Sequence, residues 1–479
     1  MRGWGLILLK ERGWFWWADE KIPEGKVAPE NYVAGLLSIS PEGRISIDLD
    51  GVLPSDRDAI FRGEDQELAP DLKIAGILRD KTRYLLAEDV QRSSGTTYNS
   101  RGISYDTFSA LRCVISNRSV PAVLNIKSIH FPLEGYEEWL VSGPFFEGRF
   151  KGKPKFIYKR QSPRIYSGSS GTVKISRHLE MEGRGNLSMR GTDLREIAEL
   201  SYRIRRFVDF EGAIRIYGLI QDIMILLTSS EYQAGWPDLT LTNGQRCTAY
   251  CYRTYAENPP PNYYDCIASF RDIDEQFGNI FFAWLQKRES LGPGIYLYLS
   301  TRRGVRSYNE QRFFSLISGL EALHRNLYPL KANQAYSDKI QRILACITKP
   351  EDRNWLNKRM RNFSEPSLSE RLKETLDKIP SGVAKSSLDE FATKCAAIRN
   401  SLSHHGKIDN PKIATDALRS LAVKNEILSH LYHAKILIEI GLPHSIVERW
   451  LTKGTSAYKF RWFARREGLK PQVEDRVPV

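Results

Sequence analysis

Cysteine is scarce: the chain has six in 479 residues. So sparse a set builds no disulfide framework. Cys113, Cys346 and Cys395 each stand alone in an apolar run and read as reduced core thiols. Cys247 and Cys251, with Cys266 nearby, have no neighbouring histidine and no fourth ligand, which leaves a structural zinc site unsupported. Long apolar runs are missing too. None approaches the roughly 20 residues that span a bilayer, and Leu6-Ile7-Leu8-Leu9 is cut short by Lys10, Glu11 and Arg12, too early for a secretory signal. The expectation is a cytoplasmic protein with no membrane partner. No G-x4-G-K-[ST] loop occurs, so nucleotide hydrolysis is not implied. Gly168-Ser169-Ser170-Gly171 and Ser93-Ser94-Gly95 read as flexible loops. No internal repeat or low-complexity segment is present, and no metal or cofactor is called for.

What is abundant is positive charge. Seventy Lys and Arg face 57 Asp and Glu, a formal net charge of +13. Such an excess favours a polyanionic partner, most simply nucleic acid. With 41% hydrophobic residues the chain has ample material for a core, and its length suggests about two to four domains.

The periodicity divides the chain. Tyr32–Ile39 is apolar, Pro41-Glu42-Gly43 is a turn signal, and Arg44–Leu49 alternates strictly, which predicts a hairpin with one buried face. Further strands are predicted at Lys73–Leu78, Arg83–Ala87, Tyr105–Ile115, Ala122–Phe131, Trp139–Phe146, Thr172–Ile175 and Leu200–Phe210. Ala213–Leu227 reads as a helix, a second helix carries Ile273, Phe277, Ile280, Phe281 and Trp284, and Ile295–Leu299 reads as one last strand. From about Tyr308 the pattern is helical. Phe313, Leu316, Ile317, Leu320, Leu323 and Leu327 form one stripe. Ser367-Leu368-Ser369-Glu370 and Ser387-Leu388-Asp389-Glu390 both have capping-box spacing. Asn410-Pro411 opens a long helix expected to stop at Gly441, with a short helix from Pro443 to Leu451 behind it. The fold class expected is therefore α+β and multidomain: a β-rich region over residues 1–300, then an all-α bundle of four to six helices over residues 301–479.

The sharpest local feature is Arg399-Asn400-Ser401-Leu402-Ser403-His404, followed by His405, near a helix end. Arg offers a fixed charged fork suited to phosphate oxygens. His titrates near neutrality and moves protons, and Asn400 orients without titrating. These types suffice to cut RNA without metal: a base takes the ribose 2′-OH proton, the oxygen attacks the adjacent phosphate, and a cation stabilises the charge that develops. DNA lacks the attacking hydroxyl. One His does not readily serve both faces of an in-line displacement, so the chemistry predicts a homodimer with a composite site. The same Arg and His also suit a plain role at a helix C-terminus, complementing its dipole.

These residues resemble the R-x4–6-H motif of HEPN-domain ribonucleases. Glu310–Arg325 is similar to the first helix of the ApeA-type HEPN domain. Gly13-Trp14-Phe15-Trp16 and the hairpin from Gly35 through Leu53 are similar to the β-rich N-terminal region of the same proteins, and Asp272–Leu285 is similar to their pre-HEPN helix. The resemblance implies a bacterial anti-phage (abortive infection) defence protein whose HEPN domain (301–479) cuts RNA, with tRNA or other translation-related RNA as the expected substrate. It implies a β-rich sensor or regulatory region (1–300) that meets a phage-derived trigger. Arg399, Asn400 and His404 would be catalytic, with His405 and Glu321 as candidate support. The alternative is a HEPN module that binds RNA or protein without cutting. Arg359 and Arg361 near Trp355, and Lys459, Arg461, Arg465 and Arg466 among Tyr458, Phe460, Trp462 and Phe463, mix cations with rings as RNA contacts do.

Overall fold

The computed structural model describes residues 8–53, 72–79, 83–98, 103–141, 145–150, 153–158, 161–181, 194–253, 258–303, 307–329, 334–360, 365–404 and 411–471. They form two compact units, one drawn mainly from the chain before Gly278 and the other mainly from Asn279 onward.

The first unit begins with six antiparallel strands: β1 (Leu9–Trp17), β2 (Val33–Ile39), β3 (Ile45–Leu49), β4 (Ile74–Leu78), β5 (Arg83–Tyr98) and β6 (Ile103–Ser116). They run in the order β6-β3-β2-β1-β4-β5, and β5 pairs back on β6, so the sheet closes into a barrel. Alternation along each strand sends one side chain in two to the interior. Phe15, Leu37, Ile47, Leu85, Phe108 and Cys113 meet there, each no more than 1% exposed. The predicted hairpin is β2–β3, paired from Gly35↔Leu49 to Ile39↔Ile45. Its turn needs Gly43, which has φ 76°; a Cβ there would lie 2.0 Å from the Cys251 carbonyl oxygen.

The sheet continues off β6 through β7 (Ile126–Pro132), β10 (Arg164–Gly168), β11 (Gly171–Met181), β12 (Leu194–Val208), β13 (Asp238–Leu241) and β14 (Arg246–Cys251), in the order β14-β13-β7-β12-β11-β10. β8 (Phe145–Phe150) and β9 (Lys153–Tyr158) form a separate hairpin. Three helices follow the strands or sit between them: α1 (Glu137–Leu140), α2 (Phe210–Thr228, whose residues from Leu226 onward belong to the second unit) and α3 (Phe270–Ile273). The strand expected at Trp139–Phe146 is therefore corrected. Its first residues belong to α1, which buries Trp139 and Leu140 side by side, and Val141 ends it in the left-handed region at φ 48°.

The second unit is helical: α4 (Phe277–Leu291, from Asn279 onward), α5 (Pro293–Ser300), α6 (Asn309–Leu327), α7 (Gln334–Ala345), α8 (Pro350–Met360), α9 (Leu368–Asp377), α10 (Lys385–His404), α11 (Pro411–Glu439), α12 (His444–Thr452) and α13 (Gly454–Arg466). α6 packs against α5, α9, α10 and α11. Close approach to α5 is possible because glycine faces glycine: a Cβ on Gly294 would lie 2.4 Å from the Gly319 oxygen.

Several local expectations differ from the structure. Ile295–Leu299 is helix α5, not a strand; Pro293 opens it, and Ile295, Tyr298 and Leu299 share its buried face. The Ser367 capping box forms, with Ser367 accepting from the Glu370 amide and Glu370 accepting from the Ser367 amide. The Ser387 box does not. Its helix already starts at Lys385, and the Ser387 hydroxyl accepts from the Lys470 amide instead. Residues 309–471 hold more helices than the four to six expected; α7, α8 and α13 were not anticipated. α8 has no buried residue and so shows no apolar stripe to detect. Cys113 and Cys395 are core thiols as expected, but Cys346 is exposed at the end of α7.

Buried histidines make the helical unit acid-sensitive. His433 is 1% exposed, its Nε2 donates to the Leu226 carbonyl at 2.8 Å, and its ring packs on Trp450 and Tyr298. Burial, reinforced by Arg302, pushes its pKa down to about 3. The imidazole is thus neutral in the fold but takes a proton near pH 6.5 in the unfolded chain. Its contribution is complete above pH 6.5 and is lost as pH falls towards 3, at up to about 1.4 kcal/mol per pH unit. His433→Gln should be the less stable protein at pH 7.5, and its deficit should shrink from pH 6.5 to 5 in urea titrations. A deficit that is constant over that range would contradict a neutral buried imidazole.

Candidate active site

α6 and α10 each bury one apolar stripe. On α6 it is Phe313, Leu316, Ile317, Leu320 and Leu323; on α10 it is Leu388, Phe391, Ala392 and Cys395. Glu321 follows Leu320 by one residue, and Arg399 follows the half-buried Ile398 by one. Both therefore sit on the polar margin of a packed face, and the margins meet. Arg399 Nη2 lies 3.3 Å from Glu321 Oε2. Arg399 Nη1 donates to Asn400 Oδ1 at 3.3 Å. The guanidinium carbon stands 5.7 Å from the centre of the Phe314 ring, within cation–π range. Glu321 and Phe314 come from α6, seven residues apart and so on one side of that helix.

The arginine side chain is 24% exposed. Its Nε is buried and has no hydrogen-bond partner among the described residues. A fork fixed on one edge by a carboxylate and an amide, with further N–H groups to offer, suits an oxyanion. The Asn400 bond also draws the guanidinium around the helix. Position 404 follows Asn400 by four residues and falls on the same helix side. His404 is the last residue of α10; its side chain, and all of His405, lie outside the described residues.

Behind Glu321 runs a chain of alternating charges that sequence reading did not find. Glu321 Oε1 pairs with Arg325 Nη2 at 3.2 Å. Arg325 pairs with Glu365, and Glu365 Oε2 takes Arg371 Nη2 at 2.8 Å. Arg371 is 1% exposed. It also donates to the Pro366 carbonyl at 3.0 Å and to His324 Nδ1 at 3.3 Å. Because Nδ1 accepts, His324 is neutral, and its Nε2 donates to Glu374 at 2.9 Å. Burial holds its pKa below the usual range. The signal available in the sequence was small: Arg371 occupies a buried-stripe position with Leu372, Thr375 and Leu376 on α9.

The RNA-contact candidates are placed unevenly. Arg359 lies on α8 with its guanidinium 5.6 Å from the Trp355 ring centre; Arg361 lies outside the described residues. On α13, Ala457, Phe460 and Ala464 are buried, while Tyr458, Lys459, Arg461, Trp462, Arg465 and Arg466 are exposed. None of Lys459, Arg461 and Arg465 has a carboxylate partner among the described residues.

Residues 314–445 match the family model described as Apea-like HEPN, and residues 10–284, more than half of the chain, match ApeA N-terminal domain 1. The chain belongs to the ApeA-type HEPN family. No curated protein and no solved structure matches it. The ApeA-type HEPN family is one of anti-phage nucleases; HEPN domains are generally ribonucleases, and they usually form dimers and bind RNA. The HEPN match contains Phe314, Glu321, Arg371, Arg399, Asn400 and His404, and it ends before α13. Among the described residues no helix is long and apolar enough to cross a membrane.

Proposed function

We propose that this protein is a metal-independent endoribonuclease of abortive-infection defence. Arg399 stabilises the phosphorane charge, His404 transfers the proton, and Asn400 orients the guanidinium. The 2′-oxygen attacks its own 3′-phosphate, the 5′-oxygen leaves with a proton, and the products carry a 2′,3′-cyclic phosphate and a 5′-OH. Two chains contribute one His each to opposite faces of the displacement, as a homodimer. The substrate is tRNA or another translation-related RNA, met in the cytoplasm, and residues 1–300 restrain residues 301–479 until a phage-derived trigger binds. Lys459, Arg461, Arg465 and Arg466, with Tyr458 and Trp462, track single-stranded RNA. The observation that carries the reading is the Arg399 guanidinium, held by Glu321 and Asn400 at the end of a helix that closes on His404.

Purified protein should cleave a tRNA pool equally well with EDTA, and the new ends should accept phosphate from polynucleotide kinase without prior phosphatase. A magnesium requirement, or 5′-phosphate ends, would overturn this mechanism.

A further inference from the structure

Phe314 breaks the pattern of its helix. The stripe that α6 buries is Phe313, Leu316, Ile317, Leu320 and Leu323, each 0% exposed. Phe314 stands outside that stripe and is 43% exposed. The other large rings exposed among the described residues of the helical unit are Tyr264, Tyr296, Tyr308, Trp355, Tyr458 and Trp462. Each of those carries a hydroxyl or an indole N–H that water can satisfy. Phe314 has no polar atom, so hydration does not account for its exposure. A single exposed apolar side chain is ordinary on a protein surface. What sets this one apart is its neighbour: the Arg399 guanidinium carbon lies 5.7 Å from the ring centre, and much of the ring remains open beyond that contact.

The guanidinium is positioned by its other contacts as well. Nη1 bonds Asn400 and Nη2 bonds Glu321, and each Nη carries a second N–H. Two N–H groups side by side suit two oxygens of one phosphate. A phosphate seated on that fork has a sugar and a base on each side of it along the strand. A flat apolar ring next to the fork offers such a base a face to stack on. The base can use it only where it is splayed out from its own neighbours. Ring and fork are tied to each other by the cation–π contact, so charge for a phosphate and a ring for a base are held in one fixed arrangement.

We propose that Phe314 is a base-binding residue: its open face stacks on the nucleobase beside the phosphate that Arg399 holds. The inference rests on the RNA-cleaving role proposed for Arg399, and it adds a contact to the nucleotide itself. Every base has a π face, so the stack fixes the strand's position on the fork without reading a particular letter.

Two RNA probes test it on the full-length protein. The first is a 2′-O-methyl strand on the order of ten nucleotides long, within the usual site size of single-strand binders, that keeps one free 2′-OH and can be cut only there. The second is the same strand fully methylated, which can be bound but not cut. Phe314→Ala is expected to weaken binding of the blocked strand, read by fluorescence anisotropy, about tenfold or more, the usual worth of one base–aromatic stack. Phe314→Trp should bind at least as tightly as the unmodified protein. Phe314→Leu keeps apolar bulk without a π face and should bind like the alanine variant. In the cleavable strand, an abasic nucleotide on one side of the scissile phosphate should cost the unmodified protein about the same factor in kcat/KM and cost Phe314→Ala almost nothing. A Phe314→Ala loss of the same size on intact and abasic strands would mean that the ring only steadies Arg399, and would overturn the proposal. So would an affinity for the blocked strand that Phe314→Ala leaves unchanged. Blocked-strand binding that Phe314→Ala weakens, with no cutting of the first probe, sinks the nuclease reading and keeps the stack.

Discussion

His404→Ala is expected to slow RNA cleavage by about 10²–10⁴-fold, the usual worth of a positioned acid or base, and Arg399→Ala by about 10²–10³-fold, the cost of losing one preorganised donor to a developing oxyanion. Neither loss should come from unfolding. Arg399 is 24% exposed on its side chain, and when it is removed Glu321 keeps Arg325 at 3.2 Å. A partly exposed ion pair of this kind contributes about 1 kcal/mol or less. Arg399→Lys restores the charge without the fork and should recover little activity, because a single ammonium cannot be held by Glu321 and Asn400 while it meets phosphate oxygens. His405→Ala should stay active if His404 is the proton carrier. Single-turnover cleavage of a defined RNA, with thermal melts of each variant, reads all of this. Full activity in both alanine variants would overturn the catalytic roles of Arg399 and His404, and RNA binding without cleavage by the unmodified protein would leave a HEPN module that binds without cutting.

Arg371→Ala is expected to be the most destabilising single change in the helical unit. Arg371 is 1% exposed, and its three nitrogens bond Glu365, Pro366 and His324. Truncation leaves the Pro366 carbonyl and His324 Nδ1 without their donor and removes the buried charge opposite Glu365. Glu365 keeps Arg325, so the cost lies mainly in the buried acceptors left without a donor, about 1–3 kcal/mol each, together a large share of the roughly 5–15 kcal/mol that holds a domain folded. Arg371→Met keeps most of the volume but none of the donors, so it should recover only the cavity part of the loss. Urea midpoints at constant slope measure the difference. The effect on cleavage should be a separate, smaller quantity wherever the variant remains folded. Arg371 acts on Arg399 only through Glu365, Arg325 and Glu321, so it is a positioning residue. A loss under 1 kcal/mol in Arg371→Ala would mean that the charge chain is solvated and not a structural tie.

Much of the helical unit was legible because helix signals are local. The stripe on α6, the Ser367–Glu370 box and the Pro411 start depend on residues within a few positions of one another, and each appears in the fold. Ile295–Leu299 misled for the same local reason. Alternating Ile, Leu and Tyr suits a strand, and only the Gly292-Pro293 entry and packing on α6 make it helix α5. Ser387 had capping-box spacing, but a cap exists only where the helix begins, and Lys470, 83 residues later, took its hydroxyl.

The amino-acid order by itself determined that a β-rich region precedes a helical one, and that an arginine, an asparagine and a histidine share the end of one helix, because both follow from periodicity and spacing along a single segment. Closure of β5 onto β6 into a barrel, the meeting of Glu321 with Arg399 across 78 positions, and the burial of Arg371 beside His324 were decided only by tertiary structure. Such contacts depend on which faces pack together and how deeply. Charge–charge geometry between distant segments exists only after the apolar stripes have been buried.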